Sequence, residues 1–143
     1  MLAARATDRR GKRFCHQNKI RRAALPEAEK LLLEQSDVLR ECRSFHELWL
    51  LIKQTLQHVR GLGELYIYDT ALRIGAFLNL EPDRVYMHRG TRDGAKHFGF
   101  LTRDREWLNL SEFPRSLREL SALEIEDILC IYKSETLATR ACG

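Results

Sequence analysis

One long apolar segment, ELYIYDTALRIGAFLNL over residues 64–80, most constrains how this chain can fold. The segment predicts a helix with apolar residues on nearly every side. Such a helix is stable in water only when other helices bury it. We therefore predict that it is the central helix of a bundle.

Amphipathic segments on both sides of residues 64–80 supply the partner helices. Residues 25–42 predict one helix with Pro26 in its first turn, and residues 44–60 predict a second helix that begins with a capping box. Residues 111–120 and 121–133 predict two short helices, the second with its own capping box. The fold class is therefore mainly α: a compact bundle of about five helices with at most one short extended segment, VYM, in a single domain over residues 23–143.

The first 22 residues carry a strong positive charge. They hold eight lysines and arginines against one acid, a net charge of +7, which leaves −3 for the rest of a chain whose total is +4. We expect a basic, flexible arm that contacts nucleic-acid phosphates or an acidic protein partner by charge alone, with a solvated tail as the alternative. The arm residues assigned to phosphate contact are Arg9, Arg10, Lys12, Arg13, Lys19, Arg21 and Arg22.

A Gly-Leu-Gly turn at residues 61–63 separates two of the predicted helices. The helix, turn and helix over residues 48–78 resemble the helix-hairpin-helix element of DNA-binding proteins. The resemblance implies that backbone N–H groups at Gly61 and Gly63 approach a phosphate without reading bases. Glu64 follows the glycines and the turn has no lysine, so the resemblance does not extend to base-excision glycosylase activity.

A dense polar cluster follows in VYMHRGTRDGAKHFG, residues 85–99. We predict a loop that ends at Thr91, which caps a short helix starting at Arg92, and a helix start attracts anions. The residues predicted to bind a phosphate or carboxylate are His88, Arg89, Thr91, Arg92 and Lys96. The alternative is a surface turn in which Asp93 pairs with Arg89 or Lys96.

Asp69 and Arg73 stand out as charged residues within the apolar segment. They are four residues apart on one helix face, so an internal ion pair is the simplest expectation. The second possibility is a small enzyme or ligand-binding domain in which Asp69, Arg73, His88, Arg89 and Arg92 surround an anionic substrate. His88 and Asp69 are then the candidate catalytic residues, and whether any reaction is catalysed stays open.

The cysteines and acids give no metal or cofactor motif. Cys15-His16 and Cys42 with His46 lack the cysteine pair that usually begins a zinc site, so we expect neither a metal nor a cofactor. Cys130 is predicted to be a buried core thiol. The acidic residues Glu124, Glu126 and Asp127 are predicted to form a solvated face.

The longest apolar run, LWLLI at residues 48–52, is far shorter than the about 20 residues that cross a bilayer. We expect a cytoplasmic protein without disulfides or membrane contact. The leading functional hypothesis is a nucleic-acid-binding helical module that uses the arm, the turn and the cluster from His88 to His97. The anion-binding enzyme is the second hypothesis, and a protein-interaction subunit is the third.

Overall fold

The computed structural model describes residue 4, residues 20–21 and residues 23–133. In this part of the chain the protein is mainly α-helical, as predicted, with six α-helices and one two-stranded sheet. The elements in chain order are α1 (Ala24–Glu34), α2 (Ser36–Glu41), α3 (Phe45–Leu56), α4 (Glu64–Leu78), β1 (Arg84–Tyr86), α5 (Arg89–His97), β2 (Trp107–Asn109) and α6 (Ala122–Ile131). None of the described helices has the length and apolarity that crossing a bilayer requires.

The chain divides into two compact units, Met1–Glu81 and Pro82–Gly143, where the sequence predicted one domain over residues 23–143. Unit 1 contains α1 to α4, and unit 2 contains β1, α5, β2 and α6. The division falls at Pro82, which disfavours helical geometry at the residue before it. The helix break that the sequence predicted is therefore also the boundary between the units.

The first predicted helix is two helices, because the backbone leaves helical geometry at Gln35, with φ −99° and ψ 8°. Pro26 lies in the first turn of α1, where its missing N–H removes no intrahelical hydrogen bond. Leu32 and Leu39 are buried, whereas Val38 is half exposed. The apolar periodicity was consistent with a single helix and did not reveal this break.

The capping box at the start of α3 is confirmed. The Ser44 hydroxyl accepts a hydrogen bond from the Glu47 backbone N–H at 3.2 Å, and the Glu47 carboxylate accepts one from the Ser44 N–H at 3.3 Å. The predicted stripe of Leu48, Ile52 and Leu56 is fully buried. The helix ends at Leu56, four residues before the predicted end.

Close packing of α3 and α4 forms the core of unit 1. Tyr66, Ile67, Tyr68, Ala71 and Ile74 of α4 are buried, as expected for the apolar segment. At residue 75, which is glycine, a Cβ atom would lie 2.7 Å from the Leu80 carbonyl oxygen and 3.1 Å from the Phe45 ring. A glycine is therefore needed at this position, where α4 lies against the backbone that follows its own end and against the Phe45 ring of α3.

Unit 2 is built on the short antiparallel pairing of β1 and β2, in which Val85 faces Leu108 and Tyr86 faces Trp107. This sheet confirms the predicted extended segment. Helix α6 packs against β1, α5 packs against α6, and together these elements enclose a second apolar core. Its buried residues are Val85, Met87, Ala95, Leu108, Phe113, Ala122, Ile125 and Leu129.

The predicted helix over residues 111–120 is wrong. A 3-10 helix, Leu110–Glu112, is followed by turns around Pro114, and regular helix returns only with α6. The predicted capping box of α6 is confirmed, because the Ser121 hydroxyl accepts from the Glu124 N–H at 3.2 Å. A single helix turn near Ser111 could not be told from a longer helix by capping residues alone.

Candidate functional site

The turn between α3 and α4, residues 57–63, is a tight connection anchored by Val59. Val59 is 4% exposed, and its carbonyl oxygen accepts a hydrogen bond from the Leu62 N–H at 3.2 Å. Gly61 has φ +99°, a conformation that L side chains rarely adopt. The fold of the turn therefore requires glycine at position 61.

Gly63 is different, because nothing in the described fold requires it to be glycine. It precedes α4 with φ −107° and ψ 177°, an extended geometry that any residue adopts. It is exposed, and a Cβ atom there would have no neighbour within 4 Å. No side chain caps α4 at this residue, and the space that a Cβ atom at Gly63 would face is open among the described residues.

Two arginines flank this turn. Carbon atoms of the Arg21 side chain lie 3.6 Å from the position that a Cβ atom on Gly61 would take, and Arg60 is exposed next to the same glycine. Glu64, also exposed, places a carboxylate in the first turn of α4. The local charge of the turn is therefore mixed, with two cations and one anion.

Most of the basic arm lies outside the described residues, including Arg9, Arg10, Lys12, Arg13, Lys19 and Arg22. Ala4 is described and fully buried, and its carbonyl oxygen accepts a hydrogen bond from the Tyr66 hydroxyl at 2.7 Å. At Ala4 the segment predicted to be a flexible arm is packed onto α4.

Asp69 and Arg73 form the predicted ion pair on α4, with Arg73 Nη2 3.7 Å from Asp69 Oδ2. Both side chains are largely buried, at 17% and 25% exposure. The pair belongs to unit 1, whereas His88, Arg89 and Arg92 of the hypothetical enzyme site belong to unit 2.

The predicted role of Thr91 as a helix cap is wrong. Helix α5 begins at Arg89, so the residue before the helix is His88 and Thr91 lies inside the first turn. The Thr91 hydroxyl accepts from the His88 N–H at 2.7 Å and lies 2.9 Å from the His88 carbonyl oxygen. It is fully buried, so these internal hydrogen bonds, not a ligand, account for its position.

The predicted basic ligands of the cluster differ in exposure. Arg89 is exposed, and Arg92 is half-buried with its guanidinium donating to the Met87 carbonyl oxygen at 3.4 Å. Lys96 is 62% exposed and lies 3.5 Å from Asp93 Oδ1. The Asp93–Lys96 contact matches the alternative expectation of a turn stabilised by its own ion pair.

His88 was predicted to bind a phosphate, but its ring does not face solvent. Its ring is 2% exposed, and its Nε2 lies 2.6 Å from Oε1 of Glu126, which is 8% exposed. Cys130, one helical turn beyond Glu126, joins them, so that one ligand atom from each residue lies within 4.8 Å of the others. Among the described residues, this His88–Glu126–Cys130 group is the one set of three or more histidine, cysteine, aspartate and glutamate side chains close enough to hold a metal ion.

Two predictions about α6 are corrected by this group. Glu126 is buried instead of belonging to a solvated acidic face, although Glu124 and Asp127 are exposed as predicted. Cys130 is partly exposed instead of buried. The signal for the group was the spacing of four residues between Glu126 and Cys130, which places both on one helix face, but nothing local pointed to His88.

Four described groups in unit 2 have shifted pKa values, and the first is Arg84, whose pKa is raised by its hydrogen bond to Asp83. Burial raises the pKa of the Tyr86 hydroxyl. Hydrogen bonds from Arg105 lower the pKa of the Glu112 carboxyl, and the backbone N–H of Asn109 adds to the effect. Hydrogen bonds from the Ser121 N–H and hydroxyl lower the pKa of Glu124.

No protein-family model, curated protein or solved structure gives a significant match to this chain. The helix-hairpin-helix resemblance therefore stays a prediction that depends on the turn alone.

Proposed function

We propose that this protein binds the phosphate backbone of nucleic acid through the turn between α3 and α4, assisted by the basic segment of residues 1–22. The observation that carries the proposal is Gly63, an exposed glycine with no steric role among the described residues, at the start of a 15-residue helix that has no side-chain cap. The absence of a side chain there lets a phosphate approach the helix N–H groups and the positive end of the helix dipole.

Charge around the turn supports the same proposal. The side-chain carbon atoms of Arg21 pack along Gly61, and Arg60, the residue before this glycine, is exposed. Two cationic residues therefore contact the turn or belong to it. Seven further lysines and arginines precede Arg21 or follow it directly in the first 22 residues. Such contacts give affinity that depends on salt and not on base sequence.

The decisive experiment is binding of a short fluorescent DNA duplex, followed by anisotropy over a series of salt concentrations. Gly63→Ala adds a single methyl group that fits the fold, so weaker binding with an unchanged melting temperature is the expected result. Arg60→Ala should weaken binding and reduce the slope of log affinity against log salt by about one. The matched control is Arg40→Ala, which removes the same charge from an exposed position on α2.

The Glu64 carboxylate provides a test in the opposite direction. It is exposed in the first turn of α4, where it repels a phosphate approaching Gly63. Glu64→Gln should therefore strengthen DNA binding. If Gly63→Ala and Arg60→Ala both bind as tightly as the native chain, the turn is not the phosphate site.

A further inference from the structure

An imidazole, a carboxylate and a thiol meet at the junction of α5 and α6. His88 Nε2 and Glu126 Oε1 are 2.6 Å apart, and both side chains are more than nine-tenths buried. Cys130 is partly exposed, and its Sγ lies within 4.8 Å of a ligand atom of each of the other two residues. The group thus has a buried inner side and an outer side that solvent reaches.

Two features of the fold hold these side chains together. Glu126 and Cys130 are four residues apart and project from the same face of α6. His88 is fixed at the start of α5 by the hydrogen bond from its own N–H to the Thr91 hydroxyl. Each ligand therefore comes from a rigid element or its end, which is what a preorganised site requires.

Glycine at two positions of α5 lets the helix approach α6 closely enough. A Cβ atom at Gly90 would lie 2.8 Å from Cys130 Sγ and 3.3 Å from His88 Cε1. A Cβ atom at Gly94 would overlap the backbone carbonyl of Leu129. Gly90 thus lets the thiol and the imidazole pack directly against the α5 backbone, and Gly94 lets the backbones of α5 and α6 approach each other.

We propose that His88, Glu126 and Cys130 bind one divalent transition-metal ion, and that zinc fits them best. One nitrogen, one carboxylate oxygen and one thiolate sulfur are all ligands that zinc accepts, with bonds of about 2.0–2.3 Å. In a tetrahedral site these bonds place the ligand atoms roughly 3.3–3.6 Å apart. The His88–Glu126 contact must open slightly and Cys130 must move inward, which side-chain rotations accomplish.

The local charges suit a cation. Burial of the Glu126 carboxylate is expensive unless a positive or hydrogen-bonding partner faces it, and a metal ion provides a stronger partner than an imidazole. Cys130 lies in the last turn of α6, where the negative end of the helix dipole favours a cation. Three protein ligands leave a fourth position, on the exposed side of Cys130, for water or a ligand atom.

The test is a titration of the metal-free, full-length protein with Co²⁺, followed by displacement with Zn²⁺. We expect one equivalent of Co²⁺ to bind and to give the near-ultraviolet charge-transfer absorption of a cobalt–thiolate bond. Cys130→Ser should abolish that absorption and weaken binding at least tenfold. Glu126→Gln, which keeps its size and its hydrogen-bonding capacity toward His88, should weaken binding without changing the fold.

The three other cysteines provide the matched control. A triple variant with serine at Cys15, Cys42 and Cys142 keeps Cys130 as the only thiol, and it should retain the absorption and the one-to-one stoichiometry. Zn²⁺ should also raise the melting temperature of the native chain but not that of Cys130→Ser. Loss of the absorption in the triple variant, or its persistence in Cys130→Ser, would overturn the proposal, as would the absence of one-to-one binding.

Discussion

The two units differ in where their polar groups lie and how the chain brings them together. In unit 1 the turn at Gly61 and Gly63 is exposed and is made by seven consecutive residues between α3 and α4. In unit 2 the pair of His88 and Glu126 is buried and joins residues 38 positions apart. In a surface turn, a substitution that fits the backbone angles has little effect on stability. In a buried polar pair, the loss of either partner leaves the other without its hydrogen bond and destabilises the whole unit.

Removal of one partner from the His88–Glu126 pair of unit 2 or from the Asp69–Arg73 pair of unit 1 should break this comparison most clearly. His88→Leu should lower the free energy of unfolding by about 3–5 kcal/mol, because it leaves the buried Glu126 carboxylate without its imidazole. Arg73→Met in unit 1 should lower it by about 1 kcal/mol, because Arg73 Nη2 and Asp69 Oδ2 are 3.7 Å apart, too far for a hydrogen bond, and both side chains are more exposed than those of His88 and Glu126. Denaturant unfolding of the metal-free protein measures both, and equal losses would contradict the difference in burial.

Addition of a methyl group to one glycine in each unit should give the next largest difference in the free energy of unfolding. Gly94→Ala forces a Cβ atom against the α6 backbone and should destabilise the protein by about 2–3 kcal/mol. Gly63→Ala meets open space and should change stability by less than about 0.5 kcal/mol. Amide hydrogen exchange should show faster exchange in α5 and α6 for the first variant. If exchange in α5 and α6 stays as slow in Gly94→Ala as in the native protein, the two helices accommodate the added methyl group without losing stability.

The capping boxes should show where the units are alike. Ser44→Ala and Ser121→Ala each remove a hydroxyl that accepts from the third residue of the following helix, and each should cost about 1 kcal/mol. Exchange of the amides in the first turns of α3 and α6 reports each cap locally. A loss in one unit more than double that in the other would show that the tertiary setting, not the local cap, determines the effect.

The smallest effect on stability should come from removing the exposed ion pair of Arg105 and Glu112 in unit 2. Because the folded-state pKa of Glu112 is lowered, mainly by Arg105, the pair contributes stability above the ordinary carboxyl pKa of 4.5 and loses it as the pH falls through the folded value. Glu112→Gln should flatten the acid side of the stability profile, measured by thermal unfolding between neutral and acidic pH. Both side chains are about one-third exposed, so solvent screens the interaction. An unchanged profile would show that the pair adds nothing measurable.

Sequence patterns predicted best where the determining contacts are local. The capping boxes at Ser44 and Ser121 and the ion pair of Asp69 and Arg73 each join residues three or four positions apart, and all are present. The predictions for Thr91 and for residues 111–120 were wrong although they too used local signals. Capping residues are compatible with several helix starts, and in the fold α5 begins at Arg89, with the Thr91 hydroxyl accepting from the N–H of His88, the residue before the helix.

The sequence alone determined the mainly α composition, the position of the turn at Gly61 and the concentration of positive charge in the first 22 residues. Helical periodicity, backbone angles open only to glycine and net charge are properties of short segments, so they can be read without coordinates. Only the tertiary structure decided that Glu126 is buried, that Cys130 is partly exposed and that both lie beside His88. The reason is that a side chain's exposure and its distant neighbours depend on how α5 and α6 pack, and Gly90 and Gly94 permit that packing without specifying it.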